Sequence, residues 1–177
     1  MIFSPTDIHG LYKITLEPRI DDRGYFCRVF AEEEFLNAGI DFKMVHTNQA
    51  RTKDAGVLRG LHWQTEPKLE AKVFRCLEGK VFDVVADVSP DSPTFGKWAG
   101  FELSGDKLET LYIPGGLAHG YETLTTNCLV EYMVTEFYSP QFEIGFRFDD
   151  PFFNIKWPLT PSFMSDKDKN LPNFKHE

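Results

Sequence analysis

Two short runs hold the residues best suited to chemistry: Arg59-Gly60-Leu61-His62-Trp63-Gln64 and Pro114-Gly115-Gly116-Leu117-Ala118-His119-Gly120-Tyr121. Each delivers one histidine from a glycine-punctuated stretch. A glycine beside a histidine permits a tight turn or the close approach of a ligand to the backbone. Imidazole changes protonation near neutral pH without a large environmental shift, so proton transfer is the chemistry these runs suggest. Arg23, Arg28, Arg59 and Lys72 lie near them and can hold an anionic small molecule.

The elements that must position these residues read as β-structure. Residues 11–16, 72–76, 81–87, 97–103, 110–113 and 128–138 are short and rich in β-branched and aromatic side chains. Turn-forming groups separate them at 78–80, 89–93, 104–106 and 114–116. Short strands at such spacing favour a sandwich or barrel over alternating helix and strand. One helix is predicted over 31–38, with acidic residues in its first turn and Gly39 as its stop. Composition alone makes 160–177 a polar surface tail.

The chain has 177 residues, 42% of them hydrophobic, the size and core content of one domain spanning 1–177. Its 17 Phe supply bulky core side chains or flat faces for stacking. The formal charge of −8 disfavours nucleic acid as a partner. No apolar run is long enough to span a bilayer, and the N-terminus lacks the basic and apolar segments of a secretory signal. A cytoplasmic protein without membrane partners is expected. Cys27, Cys76 and Cys128 are odd in number and widely spaced, which argues against a disulfide framework or structural zinc.

Pro114-x-Gly116-x-x-His119 resembles the second motif of the cupin superfamily, which implies an all-β, cupin-type jelly-roll barrel with short peripheral helices. Metal-binding cupins carry His-x-His in the first motif, whereas here His62 is followed by Trp63 and Gln64. With one imidazole missing from the usual ligand set, no metal and no cofactor are expected, and His62 is free to act as a base.

Over nearly its whole length the chain also resembles the dTDP-4-dehydrorhamnose 3,5-epimerase family. The resemblance runs through Asp21-Asp22-Arg23-Gly24-Tyr25-Phe26, the 56–62 run, Lys72-Val73-Phe74-Arg75, Val81-Phe82-Asp83-Val84 and residues 92–98. It continues through the 114–121 run, Tyr132, Tyr138-Ser139-Pro140, Glu143, Asp149-Asp150-Pro151, Trp157-Pro158 and Ser165-Asp166-Lys167-Asp168. It implies an epimerase of a nucleotide-diphospho-4-keto-6-deoxy sugar, inverting C3, C5 or both in rhamnose-type deoxysugar biosynthesis. That reaction needs a base on one face, an acid on the other and a positive group at the enolate oxygen.

By resemblance His62 is the base, Asp168 its carboxylate partner, Tyr132 the acid and Lys72 the cation near the enolate. Substrate binding falls by resemblance to Arg59, Asn48, Tyr138 and Glu143, with Arg23 and Phe26 arriving from the neighbouring subunit of a homodimer that shares its active sites. Arg28 stands beside these as a charge reversal where the family commonly has an acidic residue. His119 either contacts the sugar or braces its turn. Asp83 is either a second partner for His62 or a buried hydrogen-bonded group.

The family's Gln-x-Asn-x-Ser appears as His46-Thr47-Asn48-Gln49-Ala50, and its Tyr-Lys as Tyr132-Met133. These departures predict retained proton chemistry with changed nucleotide recognition. Rival readings are a single-centre epimerase, a ketoisomerase, a non-catalytic nucleotide-sugar binding protein and a metal-dependent cupin oxygenase.

Overall fold

A computed structural model describes residues 1–175; the last two positions of the predicted tail lie outside the described residues. The chain begins with β1 (Ile2–Pro5) and β2 (Tyr12–Thr15), then a small hairpin of β3 (Arg19–Asp21) and β4 (Gly24–Phe26). After α1 (Glu32–Asn37) come β5 (His46–Thr52), β6 (Leu58–Gln64), β7 (Lys72–Glu78) and β8 (Lys80–Asp87). β9 (Trp98–Ser104), β10 (Glu109–Ile113), β11 (Leu117–Thr123) and β12 (Cys128–Val134) follow, then the short β13 (Glu143–Gly145) and α2 (Asp166–Lys169).

The strands form two antiparallel sheets, ordered β1-β2-β10-β7-β12-β5 and β13-β6-β11-β8-β9, which pack face to face as a jelly roll. Alternation along each strand then decides which side chains meet. Val81 and Val85 of β8, Phe74 and Cys76 of β7, and Cys128 and Val130 of β12 point inward into one shared core. The intervening residues point outward, and they too are covered.

The outer face of the six-stranded sheet, through Ile14, Val73 and Met133, packs under α1 and its flanks with Phe35, Ile40 and Phe42. The outer face of the five-stranded sheet, through Leu61, Val84, Ala86 and Ala118, is covered by Phe146, Phe153 and Ile155 from the chain beyond β13. The phenylalanines thus serve three apolar layers. Strands buried on both faces lose the polar alternation of a half-exposed sheet, as the apolar stretch of β8 shows.

α1 ends as predicted. Gly39 takes φ +81°, Gly39 N–H donates to Leu36 and Ile40 N–H donates to Phe35, a left-handed cap with the Ile40–Phe35 contact that accompanies it. The two histidine runs contain nearly all of β6 and the first part of β11, and the turn expected at 114–116 stands between β10 and β11. Two expectations need correction. The 128–138 strand stops at Val134, where the chain leaves the sheet toward Ser139-Pro140. The expected 160–177 tail is, over its described residues 160–175, not a loose surface segment: Phe163 forms a parallel bridge with Val57, Arg147 N–H donates to Pro172, and Phe174 N–H donates to the buried Asp150 carboxylate at 2.7 Å. Among the described residues no helix is long and apolar enough to cross a membrane.

Candidate active site

Residues three apart on a regular strand face opposite ways. Arg59 and His62 nevertheless line one interior surface. His119 pairs with His62 and Tyr121 with Arg59, so β6 carries one more residue than β11 over this stretch. That bulge returns the second side chain to the inner face. Gly60 lies within it at φ +114°, where a Cβ would stand 2.6 Å from Gly120 Cα and 2.7 Å from the His119 carbonyl oxygen. The two glycines therefore let β6 and β11 close together and aim the histidines inward.

Between the sheets is a cavity of about 570 Å³. The five-stranded sheet supplies Arg59, His62, His119 and Tyr121; the six-stranded sheet supplies Asn48, Lys72, Phe74 and Tyr132. On β12, Cys128, Val130 and Tyr132 share the inward face, so the tyrosine continues the core row until the core opens into the cavity. Ser165, Lys167 and Asp168 line its C-terminal side. Ser165 caps α2 by accepting from the Asp168 backbone N–H at 3.1 Å, which fixes the turn that points Asp168 at β6.

Asp168 Oδ1 is 2.8 Å from His62 Nε2, in close contact but out of line for a well-aligned hydrogen bond. The other ring nitrogen, Nδ1, lies 3.8 Å from Glu143 Oε1. Burial pushes the Asp168 carboxyl up, but His62, the Ser165 hydroxyl and the Gly60 backbone outweigh it and hold the group below its ordinary value. Glu143 behaves alike: burial raises it, while Lys167, Tyr138 and His62 bring it below the usual carboxylate range. Lys167 Nζ and the Tyr138 hydroxyl both donate to Glu143 Oε2, at 2.5 and 2.6 Å.

His119 has its own carboxylate. Its Nε2 is 2.7 Å from Asp83 Oδ2, and Asp83 is fully buried. Burial pushes Asp83 up against the opposing pull of His119. Asp83 is therefore no partner of His62, and His119 braces no turn, since it stands mid-strand on the cavity wall with its ring against Phe74. Across the cavity, burial raises Tyr132 above the ordinary phenol value, Glu70 adds to this and Arg59 opposes it. Such a phenol keeps its proton at neutral pH and has one to give.

The structure brings together His62, Tyr132, Asp168, Lys72, Arg59, Asn48, His119, Tyr138 and Glu143. It does not bring Arg23, Phe26 or Arg28 to this chain's own cavity wall. Arg23 pairs with Asp21 on the exposed hairpin, Phe26 is 67% exposed, and Arg28 sits 3.8 Å from Glu34 beside α1. Wall residues absent from the sequence-based set include His46, Trp63, Glu70, Tyr121, Phe163 and Lys167. Glu70 and Lys167 had a legible signal, since each lies within two residues of a residue already singled out.

Residues 5–176 match the family model described as dTDP-4-dehydrorhamnose 3,5-epimerase. A relative of that name from Sinorhizobium fredii is 41% identical over 154 residues, covering 86% of this chain and 79% of the relative. The structure of the Bacillus anthracis dTDP-4-dehydrorhamnose 3,5-epimerase with TDP and PPi bound superposes with a TM-score of 0.94 at 34% identity, over 98% of this chain and 99% of that one. A 3'-monoepimerase from Streptomyces bikiniensis in complex with dTDP-quinovose gives 0.89 at 32% identity, over 96% and 86%.

Proposed function

Since this chain belongs to the dTDP-4-dehydrorhamnose 3,5-epimerase family, we propose that His62, Asp168, Tyr132 and Lys72 are the groups with which it moves protons. The protein is an epimerase of a nucleotide-linked 4-keto-6-deoxy sugar in deoxysugar biosynthesis, built on a cupin-type jelly roll. The observation that carries the assignment is the placement of His62 and Tyr132 on opposite sheets, one on each side of the cavity. Inversion at carbon requires a proton to leave by one face and another to arrive by the other.

In this reading His62 takes the proton from the carbon beside the C4 ketone, and the C–H electron pair moves to make the enolate. Lys72 offsets the charge at the enolate oxygen. The Asp168 carboxylate fixes the imidazole and stabilises its protonated form. Tyr132 then protonates the carbon from the opposite face, leaving a phenolate and an imidazolium. Exchange with solvent resets both. Arg59, Asn48, Tyr138, Glu143 and His119 bind the substrate around this set.

The same proposal has residues 1–177 acting as one domain in a cytoplasmic homodimer. Free thiols at Cys27, Cys76 and Cys128 suit a reducing compartment. Ile20, Tyr25 and Phe26 are exposed on the β3–β4 hairpin beside Arg23, an arm suited to reaching a neighbouring copy's cavity. Mixing Arg23→Ala with His62→Ala protein should restore activity that neither variant has alone; no restoration refutes the shared site.

The test of the chemistry is deuterium uptake from heavy water into nucleotide-linked 4-keto-6-deoxy sugars. Uptake at C3 and C5, lost in His62→Ala, is expected. Tyr132→Phe should still exchange, with retention, because His62 returns a solvent-derived proton to the face it left. Uptake at one carbon only is the second reading, favoured by the likeness to a 3'-monoepimerase. No uptake with any sugar would return the chain to a binding role.

A further inference from the structure

Glu70 lies two residues before Lys72, on the approach to β7, and its side chain lines the same cavity. Its Oε1 and Lys72 Nζ are in direct ion-pair contact, with only 11% of the glutamate and 16% of the lysine side chain exposed. The pair is therefore far more sheltered than a surface salt bridge, and little screened by solvent. β12 lies beside β7 with Tyr132 opposite Phe74 and Val134 opposite Lys72, so cation, carboxylate and phenol share one end of one sheet.

We propose that Glu70 is a positioning residue for the epimerisation, a counter-ion that holds the Lys72 ammonium on the Tyr132 wall and restrains how much of its charge reaches the enolate oxygen. The inference rests on the roles given above to Lys72 and Tyr132. A ketone is neutral when it binds and negative only as the proton leaves, so a carboxylate beside its cation acts on the transition state more than on binding. The same carboxylate disfavours the Tyr132 phenolate that remains after proton delivery. The titratable and charged groups that line the cavity with Tyr132 are Glu70 and Lys72 from the β7 side, His46 from β5, Arg59 and His62 from β6, His119 and Tyr121 from β11, and Tyr138, Glu143, Lys167 and Asp168 from the chain beyond β12. Of these, Glu70 is the carboxylate that opposes its ionisation.

The test compares wild type with Glu70→Gln and Glu70→Asp, following formation of the inverted product from the nucleotide sugar across the alkaline range, a readout that needs the Tyr132 proton as deuterium exchange does not. In Glu70→Gln, kcat should rise roughly tenfold, the scale of one charge–charge interaction in a partly wet site. KM should hold, and the alkaline limb should move to lower pH as Tyr132 loses its anionic neighbour. Glu70→Asp keeps the charge and should keep the limb. A folded Glu70→Gln protein whose limb does not move, or whose kcat falls while KM rises, overturns the proposal. Failure of the underlying assignment looks different, because wild-type exchange would then be absent or unaffected by His62→Ala.

Discussion

His62 and His119 are register partners on β6 and β11, side by side in one cavity, yet each is held by a carboxylate of its own. Asp168 reaches His62 from the C-terminal segment, whereas Asp83 reaches His119 from the adjacent strand β8. The two pairs should therefore fail differently. Asp168→Asn is expected to lower kcat roughly 10²-fold while the fold survives. Asp83→Asn disturbs the contact between a fully buried carboxylate and His119 and should cost about 1–3 kcal/mol of stability. Denaturant midpoints beside exchange rates separate the two, and equal stability losses would refute the distinction.

Gly60→Ala should be poorly tolerated. The new methyl meets the Gly120 Cα at 2.6 Å in a backbone conformation that L-residues rarely adopt. A loss of about 2–4 kcal/mol is expected, with activity falling further because the bulge that turns His62 inward is disturbed. Thermal unfolding of the variant checks the first, and kcat at a temperature where it stays folded checks the second.

The Asp168 carboxyl also makes stability depend on acid. Its folded-state value lies below the ordinary 3.8, because His62 and Ser165 more than reverse the effect of burial. A depressed carboxylate stabilises the fold fully above its unfolded value and loses that contribution as pH falls through the folded one. As pH falls below about 4, wild type should lose more stability than Asp168→Asn. Parallel acid slopes in the two proteins would count against this.

Nucleotide choice should differ from the family norm. The inward row of β5 is His46, Asn48 and Ala50, and all three line the cavity. Asn48 is the family's residue, whereas His46 and Ala50 replace two of its hydrogen-bonding groups. A site lacking partners for a ligand's polar edge discriminates for it poorly. Thymidine diphosphate is therefore expected to compete no better than its uridine, cytidine and guanosine counterparts, and a clear thymidine preference would end the idea.

β2, β7, β8, β9, β10 and β12 were legible as dense runs of β-branched and aromatic residues, whereas the shorter or more polar strands were not. β5 was not, since its inward side chains face a wet cavity and its sequence, His46-Thr47-Asn48-Gln49-Ala50-Arg51-Thr52, shows no apolar alternation. The β6 bulge left only Gly60 as a trace, and a glycine reads equally as a turn. Composition makes Asp168 one charge among several in a solvated tail; what buries it is Ser165 capping a four-residue helix against β6, which resemblance signalled and residue chemistry alone did not.

Asp150 is the joint of that C-terminal segment. One oxygen accepts from Phe152 and the other from Phe174, whose ring packs with Phe146, Phe152 and Phe153. Asp150→Ala should cost about 1–3 kcal/mol and loosen the segment that carries Asp168. Exchange activity is then expected to fall more steeply with temperature than nucleotide-sugar binding does. Identical temperature profiles would remove the link.

Under the roles proposed for them, His62 belongs to the barrel and its carboxylate to a separate segment held by α2, so unseating that segment from β6 would weaken proton transfer before it disturbed the sheets. Turnover thereby reads out how firmly one surface segment is seated.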